Sequence, residues 1–455
     1  MAKAKAPPPS VEENIMAEGI RPRRIIPAIE FLKSSFPAIS LNNIAALFLL
    51  PKLGVPVLKP FQDYQFKDQR VLVRVDFNVP LDENFEITDT TRIDESLPTL
   101  RKIIHDGGIP VIMSHLGRPK SGYEEKYSLK HVFDYLSSSL GSPGIFSTDC
   151  VDEKAHSAVK ECPPNGFVLL ENLRFHSEEE KGDLGFAAAL AELGDFYVND
   201  AFGTAHRAHA STAIVARFFP KRCAFGFLIE KELEALEKVL FRPERPFYAV
   251  IGGAKVSDKI GVLEKLLETA DGILVGGAMA FTFLGAQGAR VGHSLCEPDK
   301  YSVCLGLIEK AKNLGKKLLF PLDVRIAQEI KDSAPVKTCL SNEIPEGWKG
   351  LDIGPETVEL FIRELKNART ILWNGPMGVF EVPAFRFGTE EVAKGIAMAS
   401  RFGAFSVVGG GDSVAAVHLL GLKNQVSYVC TGGGAMLEFV EGKELPGIAA
   451  IREYA

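Results

Sequence analysis

The chain has 455 residues, 46% of them hydrophobic, enough to core roughly two or three domains, which excludes disorder as its dominant state. Its 52 Lys and Arg against 58 Asp and Glu leave a formal charge of -6, which excludes a general polyanion binder such as a nucleic-acid coat. Seven cysteines, an odd number without a Cys-x-x-Cys spacing, exclude a disulfide framework or a zinc knuckle and point to a reducing compartment.

Residues 1–60 differ in character from the rest of the chain. A Lys/Ala/Pro start leads to the basic cluster Arg21-Pro22-Arg23-Arg24, then to a Leu/Ile/Pro-rich run that holds no acidic residue over 31–60. That is the flavour of an import signal, yet Glu12, Glu13, Glu18 and Glu30 argue against it. The segment therefore reads equally as a processed or disordered extension and as a short ordered appendage. The apolar stretch 44–58 is broken by Pro51 and Pro56 and is too short to cross a bilayer, and no transmembrane span is expected elsewhere.

From Arg70 onward, short β-branched runs end in Gly, Asn or Asp and alternate with segments of helical period, the pattern of a parallel α/β sheet. Strands are predicted at 71–76, 110–113, 167–170 and 196–199, and in a second group at 247–251, 272–275, 317–320, 370–373, 405–408 and 426–430. Between the groups, 230–240 is a charged amphipathic helix closed by Arg242-Pro243-Glu244-Arg245-Pro246, a plausible connector. The expected fold is α/β, two Rossmann-like lobes, each a parallel sheet flanked by helices, over 61–229 and 247–442, joined by a hinge helix and linker at 230–246.

Ligands of open α/β sheets bind beyond the carboxyl ends of the strands, so the residues just after each strand carry the functional signal. After the early strands come Asp76-Phe77-Asn78, Ser114-His115-Leu116-Gly117-Arg118, Glu171-Asn172-Leu173-Arg174 and His206-Arg207-Ala208-His209. Arg92, a little downstream, can join the same edge. Any one arginine is most often a surface ion-pair partner. Their shared placement instead points to forks arranged for a small, highly anionic substrate.

The second half puts glycine at its strand ends: Gly252-Gly253-Ala254-Lys255, Gly276-Gly277, Asn374-Gly375-Pro376, Gly409-Gly410-Gly411-Asp412-Ser413 and Thr431-Gly432-Gly433-Gly434. Several lead into helical patterns, at 257–270 and 413–420. Glycine admits phosphate or base to the backbone, and a helix start offers free N–H groups to an anion. A Walker A motif and a Gly-x-Gly-x-x-Gly fingerprint are both absent, so ordinary P-loop and dinucleotide readings are disfavoured. Lys255 and Lys259 are expected one helical turn apart on one face, bridging a chain of phosphates. Asp412 suits either magnesium or a helix N-cap, and Glu381 either ribose hydroxyls or solvent.

Arg74-Val-Asp76-Phe-Asn78-Val-Pro80, Ser114-His-Leu-Gly-Arg118-Pro, Glu171-Asn-Leu-Arg174-Phe, Gly203-Thr-Ala-His206-Arg207-Ala-His209, Gly252-Gly-Ala-Lys255-Val-Ser-Asp-Lys259, Trp373-Asn-Gly-Pro376 and Gly409-Gly-Gly-Asp412-Ser413, in this order, closely resemble the phosphoglycerate kinase family. The likeness runs from about residue 71 to about residue 451. It implies an enzyme moving a phosphoryl group between 1,3-bisphosphoglycerate and MgADP, giving 3-phosphoglycerate and MgATP. It assigns Asp76, Asn78, Arg92, His115, Leu116, Gly117, Arg118, Arg174, His206 and Arg207 to the phosphoglycerate. It assigns Gly253, Lys255, Lys259, Gly276, Gly277, Asn374, Pro376, Glu381, Gly410, Gly411, Asp412 and Ser413 to ATP or ADP, with Mg(II) on Asp412. Arg92, Lys255 and Lys259 would be catalytic.

The likeness further implies closure of the lobes on a hinge and a tail, 443–455, folded back on the first lobe. A monomer in the cytoplasm is the default expectation, with organelle import through the extension as the alternative and no nucleic-acid or membrane partner. Rival readings are weaker. A solute-binding protein needs an export signal, a dehydrogenase needs the missing fingerprint, and a scaffold without turnover has no reason to keep every expected catalytic residue.

Overall fold

The computed structural model describes residues 58–120 and 122–455, so the reading of the extension lies, but for its last three residues, outside the described residues. Strands β1 (Arg70–Arg74), β2 (Ile109–Met113), β3 (Gly144–Phe146), β4 (Phe167–Leu169), β5 (Phe196–Asn199) and β6 (Cys223–Phe225) form one sheet in the order β3-β4-β2-β1-β5-β6. Every pairing is parallel. The central strands are apolar on both faces because both are covered. Val71, Val73, Ile112 and Val198 enter one core, and Leu72, Val111, Met113 and Tyr197 the other.

The second half carries β7 (Phe247–Ile251), β8 (Gly272–Val275), β9 (Arg290–Val291), β10 (Lys317–Leu319), β11 (Asp323–Ala327) and β12 (Lys337–Leu340). It continues with β13 (Glu343–Ile344), β14 (Lys349–Ile353), β15 (Thr370–Asn374), β16 (Phe405–Gly409) and β17 (Tyr428–Val429). Six of these make a second parallel sheet, β10-β8-β7-β15-β16-β17, so each of the two α/β lobes is built on a six-stranded parallel sheet. Two features were not predicted. β3 and β6 are three-residue edge strands, too short for a periodic signal. The antiparallel sheet β12-β11-β14 and the pair β13-β9 fall in stretches where no strand was expected.

The helix Phe227–Phe241 joins the lobes. It begins before its charged run because Asp200, just past β5, accepts the N–H groups of Leu228 and Ile229 at 2.9 and 3.2 Å. Glu232, fully buried on this helix, accepts the Thr431 N–H and hydroxyl, both at 2.7 Å. The helix Pro446–Tyr454 returns to the first lobe, where Gly447 donates its N–H to the Ala205 carbonyl at 2.9 Å, with Ile448 and Ile451 buried.

Candidate active site

A cleft of about 200 Å3 opens at the carboxyl edge of the first sheet, lined by Asp76, Asn78, Arg92, His115, Gly203, Thr204, His206 and Arg207 and closed by residues 431–434. Asp76 follows β1 and is buried. One carboxylate oxygen takes Arg92 Nη1 at 2.7 Å and the other lies 3.7 Å from His115 Nδ1. Burial pushes this carboxyl up, but Arg92, His115, Arg74 and the Asn78 N–H together outweigh it and hold it below its ordinary value. The Asn78 amide oxygen accepts the Gly117 N–H at 2.8 Å, which ties the loop after β1 to the loop after β2.

Burial, reinforced by Arg74, Arg174 and Arg92, lowers His115 well below an ordinary imidazole despite Asp76. Burial lowers His206 as well, and it takes His209 down to about 3. The histidines are therefore neutral hydrogen-bond partners at neutral pH, and the positive charge of the cleft comes from Arg92 and Arg207.

Not every expected residue reaches this cleft. Arg118 is exposed and does not line it. Arg174 is engaged with the Gly117 carbonyl at 2.6 Å and Glu180 at 3.1 Å. Leu116 is buried and gives its carbonyl to Asn172. Arg74, quoted in the sequence motif but assigned no role, is buried behind the cleft with one nitrogen 3.3 Å from His115 Nδ1. An arginine inside an apolar strand carries no periodic signal, and only its position two residues before Asp76 marks it.

The second cleft, about 520 Å3, lies at the carboxyl edge of the other sheet between the loops holding Gly253, Gly277, Pro376 and Glu381 and the helix start at Asp412. Its floor is apolar, with Phe281, Val324 and Leu351 contributed partly by the small antiparallel sheet. That floor was not predicted, although the alternation of Val324 and Ile326 in β11 was the available signal. Gly276 is buried behind the wall against Met377. Asn374, ending β15, meets the Lys259 ammonium and donates to the Gly409 carbonyl at 2.7 Å. The Ser413 hydroxyl accepts the Gly375 N–H at 2.5 Å, and Gly410 and Gly411 lead into the helix Gly411–Leu419.

Two expectations are corrected by the structure. Lys255 and Lys259 do not share a helical face, because the helix begins only at Ile260 and both lysines lie in the preceding loop, Lys255 exposed and Lys259 half-buried. The glycine loop 431–434 belongs to the first cleft and not to the second, because residues after β17, the edge strand, reach across to the other lobe.

Among the described residues, no group of three or more His, Cys, Asp or Glu is arranged to hold a metal. Asp412, an exposed carboxylate at a helix start on the rim, suits a magnesium ion whose other ligands come from nucleotide phosphates and water.

A cleft that sets Arg92 and Arg207 at the edge of one sheet, and a glycine-walled cleft with an apolar floor at the edge of the other, define a two-lobed phosphotransferase of the α/β class. Residues 61–443 match the family model described as phosphoglycerate kinase. The chain belongs to the phosphoglycerate kinase family. It is 50% identical over 395 residues to "Phosphoglycerate kinase" of Pelodictyon phaeoclathratiforme, covering 87% of this chain and 99% of that one. It is likewise 50% identical over 390 residues to "Phosphoglycerate kinase, cytosolic" of Nicotiana tabacum, covering 86% and 97%. Among solved structures, phosphoglycerate kinase from Coxiella burnetii superposes with a TM-score of 0.77 at 40% identity, covering 86% of this chain and 98% of that one.

Proposed function

We propose that this chain transfers a phosphoryl group between 1,3-bisphosphoglycerate and MgADP, giving 3-phosphoglycerate and MgATP, with the glycerate in the 200 Å3 cleft and the nucleotide in the 520 Å3 cleft. The observation that carries this reading is the convergence of Asp76, Arg92, His115 and Arg207 on one cleft facing a loop of the nucleotide lobe. Arg92 and Arg207 bind the anionic groups, and Asp76 fixes Arg92 while accepting a substrate hydroxyl. His206 and the loop 431–434 complete the wall. Arg118 and Arg174, outside the cleft in this form, supply further anion contacts once the substrate is seated.

The nucleotide base rests on Phe281, Val324 and Leu351, its ribose reaches Glu381, and its phosphates run toward Lys259 and the helix start at Gly411. Magnesium on Asp412 neutralises phosphate charge when bound. Phosphoryl transfer asks the protein for alignment and for compensation of charge on the equatorial oxygens. Arg92, Lys255, Lys259 and the N–H groups at the start of Gly411–Leu419 provide that compensation. No general base is needed, because the attacking phosphate or carboxylate oxygen is already ionised. Closure of the lobes about the helix Phe227–Phe241 and residues 242–246 brings the groups together and excludes water.

The first lobe comprises 61–229 with the tail 443–455, the second 247–442. The protein works as a cytoplasmic monomer: each chain carries both clefts, a cytosolic relative is named, and no described helix is long and apolar enough to cross a membrane. N-terminal sequencing of the mature protein decides between this location and import.

The test is a coupled assay of transfer from MgATP to 3-phosphoglycerate by the full chain and by Arg92→Ala. The full chain turns over, and the variant loses about a hundredfold to a thousandfold in kcat, as for a donor aimed at transition-state charge. Nucleotide binding without turnover in the parent overturns the reading.

A further inference from the structure

We propose that Glu179 is a positioning residue of the phosphoglycerate cleft, which acts through Ser211 and Arg74 to fix His115 as the neutral imidazole with its proton on Nε2. The inference rests on the reading of that cleft as the acceptor site.

Glu179 lies on the short helix Ser177–Lys181 and is 1% exposed. One of its oxygens accepts the Ser211 N–H at 2.9 Å and the other the Ser211 hydroxyl at 2.6 Å. His209 Nδ1 stands 3.8 Å from the latter. A serine hydroxyl has a single proton. Once that proton is donated to Glu179, the oxygen can only accept, and it does so from Arg74 Nε at 2.9 Å. Arg74 is 1% exposed and also donates to the Val75 carbonyl, so its guanidinium is held in place.

The remaining Arg74 nitrogen faces His115 Nδ1 at 3.3 Å. A guanidinium has donors and no acceptor, so the ring nitrogen it meets must be the unprotonated one. The proton of the neutral ring then sits on Nε2, where it serves as a hydrogen-bond donor to the anion the cleft takes. The competing partner is Asp76, whose nearer oxygen is 3.7 Å from the same Nδ1. With Arg74 displaced, Asp76 would draw a proton onto Nδ1. Arg74 thus sets the tautomer of His115, and Glu179, a carboxylate away from the cleft lining, acts by holding Ser211 as the acceptor that keeps Arg74 in place. The depressed basicity of His115 agrees with this arrangement.

The test is 15N NMR of the full chain labelled at its nine histidines, near neutral pH and without ligand, with His115→Gln used to assign the signals. Unprotonated Nδ1 and protonated Nε2 are expected in the parent. In Ser211→Ala, and independently in Glu179→Gln, His115 shifts toward the Nδ1-protonated form, and KM for 3-phosphoglycerate rises about tenfold while KM for ATP holds. An Nδ1-protonated or doubly protonated ring in the parent overturns the proposal. So does an unchanged tautomer or an unchanged KM in whichever variant folds. Failure of 3-phosphoglycerate to perturb His115 in the parent, with the tautomer as expected, would instead overturn the assignment of the cleft.

Discussion

A side chain at position 277 has nowhere to go. Gly277 has φ +66°, and a Cβ there would lie 2.6 Å from both the N and the O of Gly253 in the facing loop of the 520 Å3 cleft. The backbone conformation alone costs an L-residue about 1–2 kcal/mol. Gly277→Ala is expected to weaken ADP binding at least about tenfold by calorimetry while leaving KM for 3-phosphoglycerate near its parent value. At this scale the sequence was most legible where a polar residue follows a strand: Asp76, His115, Asn374 and Asp412 all sit at the strand-end edges expected of them. It was least legible where a role depends on what lies behind a residue. Arg74 looks like a strand residue until Ser211 and Glu179, more than a hundred positions away, are seen around it. The pairing of Lys255 with Lys259 failed because a four-residue spacing carries helical meaning only where a helix exists.

Among the elements, the connecting helix Phe227–Phe241 is the most constrained by charge. Burial pushes the Asp200 carboxyl at its start up to about 7, although Thr99 and the Leu228 and Ile229 N–H groups favour the ionised form. A carboxyl raised in the folded state gives stability that is complete below its ordinary value of 3.8 and is lost as the pH climbs to about 7. Asp200→Asn removes that dependence. Its denaturant midpoint relative to the parent should therefore improve between about pH 4 and about pH 7 and level off above. Glu232, raised to about 7 by its own burial, keeps a slope of the same sign in both proteins. On the tail helix, Ile451→Ala removes a fully buried side chain and should cost about 2–5 kcal/mol by urea unfolding. Strands with continuous apolar runs were readable because burial on both faces demands such residues. The antiparallel strands β11, β12 and β14 were not: β12 is largely exposed, and β11 and β14, though mostly buried, carry Asp323, Arg325, Lys349 and Asp352 among their apolar residues and so lack a continuous apolar run.

For the molecule as a whole, the 200 Å3 cleft is a shared property of both lobes. Its far wall, residues 431–434, is covalently part of the second lobe and is pinned to the connecting helix through Glu232. Saturating 3-phosphoglycerate is expected to slow amide exchange in this wall as well as in the loops after β1 and β2, as read by hydrogen-exchange mass spectrometry. Protection confined to the first lobe would mean that the wall does not touch the substrate. The division into two sheets was legible from the alternation of runs. The crossing of the wall was not, because nothing in a local pattern tells which lobe a loop will face.

The return of Pro446–Tyr454 to the first lobe also sets an order of events during synthesis. The six strands of that lobe leave the ribosome early, but the seat beside Ala205 and Asn199 stays open until a helix made after both sheets arrives to fill it. A nascent chain therefore holds an unfinished amino-terminal lobe while the whole carboxyl-terminal lobe is being translated, and a message truncated late would damage the part of the protein that was made first.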